Sequence, residues 1–279
     1  MKVGVIGAGV MGRGIAQVSA MAGHDVVLFD INYEVLESAK IAVEKNLNKA
    51  IQLGKLDEQG KNASLSKLQF SNSIADVQVD LIIEAIVERL DVKAKVLADL
   101  AEINGEHTVY ASNTSSIPLT QIAANFQFPK QVVGIHYFNP AHIMKLVEVI
   151  RAEQTSEEVL QVALDYVSSV KKKCVIAADA PGFIVNRVAR HFYVEGLKVL
   201  EEKVATHDVI DDLVRASGFK MGPFQLMDLI GVETNLSVTE SMYELFNYDQ
   251  KFRPNRIQQK KTQAGYYGRK SGRGFYSYE

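Results

Sequence analysis

Gly7-Ala8-Gly9-Val10-Met11-Gly12 constrains this chain more than any other stretch, because its three glycines fall between a short apolar run, Val3-Gly4-Val5-Ile6, and a helical pattern from Val10 to Ala22. In that position the spacing G-x-G-x-x-G has a mechanism. Gly7 permits the tight turn, Gly9 lets backbone approach a pyrophosphate, and Gly12 allows close packing of helix on strand. The helix opening at Val10 and Met11 offers its unsatisfied N–H groups and positive dipole end to the phosphates. A second apolar run, Val26 to Phe29, ends on Asp30. A carboxylate there can accept hydrogen bonds from both ribose hydroxyls of an adenosine and would repel a 2′-phosphate, and Ile31-Asn32 supplies no arginine to compensate. The expected cofactor is NAD. Two other readings stay open on these residues: a glycine turn in an unrelated doubly wound fold with Asp30 capping the next helix, and an FAD site, which uses the same glycines.

The rest of the N-terminal part follows the same alternation. Helical periodicity runs from Ile31 through Leu36, Ala39, Val43, Leu47 and Leu53 to a stop at Gly54, with a second, polar helix over 57–65. This excursion exceeds a minimal crossover helix and predicts a projecting helical hairpin. Strand candidates are Leu68 to Phe70, Leu81 to Ile83, Thr108 to Ala111, Val132 to Ile135, Met144 to Ile150 and Cys174 to Ala177, with helices over 90–103 and 157–170. Such a pattern implies an α/β fold, a Rossmann-type, doubly wound, mainly parallel sheet. After Pro181-Gly182 the strand signals nearly vanish, and 183–203, 206–216, 223–229 and 233–245 read as helices. The predicted organisation is a nucleotide-binding domain over 1–182 and an all-helical domain over 183–279; a chain of 279 residues, 47% hydrophobic, is long enough for two cores.

Charge and cysteine usage exclude several classes. With 31 basic and 33 acidic residues, net charge −2, the chain has no global field for nucleic acid or an anionic membrane. Its single cysteine, Cys174, excludes an intrachain disulfide and reads as a small buried hydrophobe. The strand beginning at Lys2, without a basic and apolar leader or a long uncharged apolar run, leads to the expectation of a cytoplasmic protein. No metal site is expected.

Reactive side chains sit where open α/β sheets place ligands, at carboxyl ends of strands. His136 follows Val132-Val133-Gly134-Ile135 and precedes Tyr137-Phe138-Asn139-Pro140. Imidazole suits removal of an alcohol proton because it titrates near working pH, although a hydrogen-bonded core histidine is the alternative. Glu148 lies in the apolar run Leu146 to Ile150, where a carboxylate is costly unless a partner satisfies it. A return strand after Asn139-Pro140 would bring it to His136 as an orienting acid; a solvated edge position is the other possibility. Ser112-Asn113-Thr114-Ser115-Ser116 is a candidate substrate-binding cluster or a cap for the helix after Pro118. Asn186, inside the apolar helix that opens the second domain, needs hydrogen-bond partners if buried.

Taken together these stretches resemble the 3-hydroxyacyl-CoA dehydrogenase family, particularly its short bacterial 3-hydroxybutyryl-CoA dehydrogenases. The match runs from Lys2 to Tyr278 through the glycine loop, Glu84-Ala85-Ile86-Val87-Glu88, Ala111 to Ser116, His136 to Pro140, Met144 to Ile150, Pro181 to Arg187, Met221-Gly222-Pro223 and Gly268 to Gly272. The resemblance implies His136 as catalytic base with Glu148 as its partner, and Ser115 and Asn186 as hydrogen-bonders to substrate. It implies cofactor contacts from Glu88, Lys93, Ser115 and Asn139. It also implies an acyl-CoA substrate lying against the helical hairpin, with Lys49 and Lys55 as candidate phosphate contacts, and a homodimer formed through the helical domain. Two departures, Glu233 for an aspartate and Glu202-Lys203 for Glu-Gly, fall in the helical domain. A related dehydrogenase of hydroxy acids or sugar acids, or a binding protein that kept the fold and lost the chemistry, remain alternatives.

Overall fold

The structure, a computed structural model, describes residues 1–278, and they fall into two compact units, 1–180 and 181–278. The first is built on eight strands: β1 Lys2–Ile6, β2 Asp25–Phe29, β3 Leu68–Ser71, β4 Leu81–Glu84, β5 Val109–Ser112, β6 Val132–Tyr137, β7 Leu146–Arg151 and β8 Lys173–Ala178. They form one sheet in the order β3-β2-β1-β4-β5-β6-β7-β8. Pairing is parallel throughout except between β6 and β7. The order reverses direction between β1 and β4, so the crevice outside their carboxyl ends is where a ligand is expected.

The central strands read as continuous apolar runs because helices cover both faces. Val3, Val5, Leu81, Ile83, Val133 and Ile135 are all fully buried. Helices α1 Val10–Met21, α2 Tyr33–Gln52, α3 Glu58–Ser66, α4 Leu90–Asn104, α5 Leu119–Ala124 and α6 Glu157–Ser169 complete the unit. Helix α2 buries a stripe at three- and four-residue spacing, Leu36, Ala39, Val43 and Leu47. Helices α2 and α3 pack on each other as the expected hairpin and rest on α1, where Asn46 donates its amide to Gln17 at 3.1 Å. Cys174 is half-buried on β8 rather than enclosed.

A fixed hydrogen-bond chain backs β6. The Tyr137 hydroxyl donates to Tyr166 at 3.1 Å, and Tyr166 meets Ser19 of α1 at 2.7 Å. Burial raises both phenols above their ordinary range, so they serve as neutral hydrogen-bonders joining β6, α6 and α1.

The second unit comprises α7 Val185–Glu201, α8 His207–Ala216, α9 Pro223–Ile230, α10 Val232–Leu245 and α11 Arg256–Gln263. Its core gathers Tyr193, Leu197, Phe224, Met227, Val232 and Phe275. Two buried aspartates organise it. Asp211 of α8 accepts the first N–H groups of α9, from Phe224 and Gln225, and the Tyr276 hydroxyl at 2.7 Å. Asp228 of α9 accepts the Phe275 and Tyr276 N–H groups and the Tyr278 hydroxyl, clasping the C-terminal segment to the helices. Among the described residues, no helix is long and apolar enough to cross a membrane.

Candidate active site

The glycine loop leaves β1 at its carboxyl end. Gly7 takes φ +97°, and a Cβ there would meet the Ala85 carbonyl oxygen at 2.8 Å. A Cβ on Gly12 would collide with the Gly7 carbonyl, so only glycine lets α1 start this close to the strand. Helix α1 has no side-chain cap and no acid in its first turn, which leaves its N–H groups and dipole for an anion. Asp30, half-buried at the end of β2, accepts the Ala8 N–H on Oδ2 at 2.8 Å and the Asn32 N–H on Oδ1 at 2.9 Å. Each carboxylate oxygen thus keeps a lone pair for a ribose hydroxyl. The alternative role, capping the next helix, belongs to Asn32, whose Oδ1 accepts from Glu34 and Val35. These residues fit a dinucleotide with its adenosine half over β2.

On the other side of the crevice, β4 and β5 end in an ionic cluster. Lys93 of α4 is 1% exposed and donates to both oxygens of Glu84, at 2.6 and 2.8 Å, and lies 3.1 Å from Glu88. Glu88 Oε1 accepts from the Thr114 hydroxyl at 2.6 Å, from the Ser115 and Ser116 N–H groups at 2.9 and 3.1 Å, and from the Ser116 hydroxyl at 3.0 Å. Burial raises the Glu88 carboxyl, but the Lys93 charge and these hydrogen bonds outweigh it and hold the group below the usual carboxylate range. Of the five residues from Ser112 to Ser116, none caps the helix after Pro118 by side chain; Asp179, beyond β8, accepts the Leu119 and Thr120 N–H groups of α5 at 2.9 and 2.7 Å. Ser115 is half-buried on the resulting turn.

His136 and Glu148 stand directly opposite each other on the antiparallel pair β6 and β7. The His136 Nδ1–H donates to Glu148 Oε2 at 2.8 Å, and both residues are buried, 4% and 1% exposed. Strand β7 is internal, paired on both sides, so Glu148 is not an edge residue. Phe138 packs edge-on against the imidazole, with ring centroids 4.7 Å apart. Asn113 ties this strand end to the neighbouring loop by accepting the Tyr137 N–H at 2.8 Å. Asn139 is exposed on the following turn, which Lys172 holds by donating to the Ala141 and Met144 carbonyls at 2.8 and 2.7 Å. Helix α1 approaches that turn closely at Gly14, where a Cβ would lie 3.1 Å from Ala141 Cβ. Lys172 and Asp179 were not singled out from sequence, and Glu84 was named only as part of a motif, with no role. Glu84 carried the signal that exposed Glu148, a carboxylate ending an apolar strand, Leu81-Ile82-Ile83.

Two further predicted residues of the first unit, Lys49 and Lys55, lie on the helical hairpin, and Asn186 belongs to the second unit. Lys49 and Lys55 are exposed at the far end of α2 and in the turn after it. Asn186 is half-buried near the start of α7 rather than enclosed in an apolar helix, since Ile184 and Val188 beside it are exposed.

The fold and this arrangement define a dinucleotide-dependent dehydrogenase with a helical second unit. The sequence profile of the 3-hydroxyacyl-CoA dehydrogenase NAD-binding domain matches residues 2–180, and that of the family's C-terminal domain matches residues 182–278. The chain belongs to the 3-hydroxyacyl-CoA dehydrogenase family, and NAD is its cofactor. It is 44% identical over 278 residues to 3-hydroxyadipyl-CoA dehydrogenase of Escherichia coli K12, covering 99% of this chain and 58% of that protein's length. It is 37% identical over 279 residues to 3-hydroxybutyryl-CoA dehydrogenase of Bradyrhizobium diazoefficiens, covering 99% of this chain and 95% of that one. The crystal structure of (S)-3-hydroxybutyryl-CoA dehydrogenase from Ralstonia eutropha superimposes with a TM-score of 0.95 at 38% identity, covering 100% and 99% of the two chains.

Proposed function

We propose that the chain interconverts a short (3S)-3-hydroxyacyl-CoA, 3-hydroxybutyryl-CoA, and its 3-ketoacyl-CoA, with His136 as the acid–base group and Glu148 as its orienting acid. The observation that carries this is the buried 2.8 Å hydrogen bond from His136 Nδ1–H to Glu148. With Nδ1 engaged, Nε2 is the nitrogen that takes the C3 hydroxyl proton, and the carboxylate stabilises the imidazolium that forms. NAD supplies the acceptor for the hydride leaving C3. In the reverse direction the imidazolium returns its proton to the developing alkoxide. Ser115 and Asn186 are hydrogen-bonders to the substrate, Glu88, Lys93, Ser115 and Asn139 act on the cofactor side, and Lys49 and Lys55 meet the CoA phosphates as point charges. A homodimer through the helical unit is part of the same reading, supported by an apolar groove there lined by Val188, Phe192, Phe219, Met221 and Leu229.

A second reading, an acyl chain ending in a carboxylate, is favoured by one observation. The Escherichia coli relative bears the name of a 3-hydroxyadipyl-CoA dehydrogenase. Steady-state kinetics of NADH oxidation with acetoacetyl-CoA, 3-oxoadipyl-CoA and free oxo acids separates the readings. The proposal expects the highest kcat/KM on acetoacetyl-CoA; a higher value on 3-oxoadipyl-CoA selects the second reading, and turnover of free acids alone overturns both.

A further inference from the structure

We propose that Glu84 is a positioning residue for the nicotinamide half of the cofactor site, acting through Lys93 and Glu88 on the turn that carries Ser115 and Ser116. Glu84 ends β4, the strand between β1 and β5, and is 0% exposed, so it touches no ligand itself. Its carboxylate is saturated. Oε1 accepts from Lys93 Nζ at 2.6 Å and the Ile86 N–H at 2.7 Å, and Oε2 accepts from Lys93 Nζ at 2.8 Å and the Ser112 hydroxyl at 2.6 Å. Its backbone is equally committed, the carbonyl accepting the Asn113 N–H at 2.8 Å.

These partners belong to the loops on the β4 and β5 side of the crevice. Ile86 starts the segment leading to Glu88; Ser112 and Asn113 start the segment leading to Ser115. Lys93 is held between Glu84 and Glu88, and Glu88 in turn gathers the N–H groups of Ser115 and Ser116. The adenosine side is held separately, by Asp30 on the Ala8 N–H. In a doubly wound fold the dinucleotide lies across the switch point with its two halves on opposite sides, so the Glu84 cluster belongs to the nicotinamide side.

A carboxylate and an ammonium, Glu84 and Lys93, are costly to bury, and an apolar cluster of the same shape would join β4 to β5 as well. What the charges add is direction. Lys93, fixed by two oxygens of Glu84, draws Glu88 to one place, and Glu88 sets where the Ser115 turn stands. With Glu84 neutral, Lys93 has Glu88 as its remaining counterion and pulls it away from the turn.

The test is calorimetric binding of two probes, NADH and ADP, to wild type and Glu84→Gln. ADP engages the adenosine and pyrophosphate side alone. The expected result is a rise of about tenfold in the NADH Kd, the order of one charge-assisted hydrogen bond, with the ADP Kd unchanged. Equal weakening of both probes would mean general loosening of the sheet, and unchanged NADH affinity would mean no positioning; either overturns the proposal. Should Glu84→Gln bind neither probe for want of folding, Ser112→Ala reads the same ratio with the charges intact, and a ratio of NADH to ADP affinity equal to wild type counts against it. No acyl substrate is involved, so an error in the proposed substrate class leaves this result standing.

Discussion

At Lys203 the backbone takes φ +60°, the left-handed conformation, directly after the end of α7. The Lys203 N–H returns to the Leu200 carbonyl and the Val204 N–H to the Val199 carbonyl, a helix-ending loop that favours glycine at this position. The departure from the family's Glu-Gly therefore carries a backbone cost. Lys203→Gly is expected to stabilise the protein by about 1 kcal/mol, read as a raised denaturation midpoint with kcat unchanged; a lowered midpoint would show that the lysine side chain supplies more than the strain removes. The other departure, Glu233, is explained by its ion pair with Lys270 of the C-terminal segment. Glu88 gives a pH prediction at the same scale. Its folded-state carboxyl titrates below the usual range. It therefore contributes stability above the unfolded value, about 4.3, and loses it as pH falls through the folded value. Melting temperatures taken from about pH 5 down to about pH 3 should fall more steeply for wild type than for Glu88→Gln; parallel acid limbs would contradict the role given to this carboxylate.

Elements were legible from sequence wherever local pattern decides them. The glycine loop, the strand ending on Asp30 and the buried stripe of α2 all carry their structure in residue spacing. The return strand β7 was legible because a lone carboxylate in an apolar run needs a partner, and the twelve residues from His136 to Glu148 allow a turn between them. The long-range polar clusters were not legible. Glu84, Lys93 and Glu88 are close in sequence, but their purpose depends on Ser112 to Ser116, which parallel pairing of β4 with β5 brings beside them. Asp179 caps α5 from some sixty residues away, and no local signal announces it. Helix α11 was missed for the opposite reason. Its residues Arg256-Ile257-Gln258-Gln259-Lys260-Lys261 are polar, and it is held by Asn255 at its N-terminus and by Gln258 reaching Asn235 of α10.

At the scale of the whole molecule, the helical unit exposes Val188, Phe219 and Leu229, each at least 46% exposed, along one apolar groove rather than as scattered single residues. The proposed homodimer predicts a sedimentation mass near twice 30.9 kDa at micromolar concentration, and Phe219→Glu should shift it toward the single-chain mass; a wild-type protein sedimenting at the single-chain mass would refute it. In the proposed reading the nucleotide loop and the ionic cluster hold NAD, and the reaction rests on the imidazole of His136 with the Glu148 carboxylate behind it. The most direct measurement is therefore the rate of NADH oxidation with acetoacetyl-CoA by wild type and by His136→Gln, alongside NADH affinity. The account predicts robust wild-type turnover, a kcat lower by about 10²–10⁴-fold in the variant, and NADH affinity nearly unchanged; a variant that retains near-full activity would contradict it.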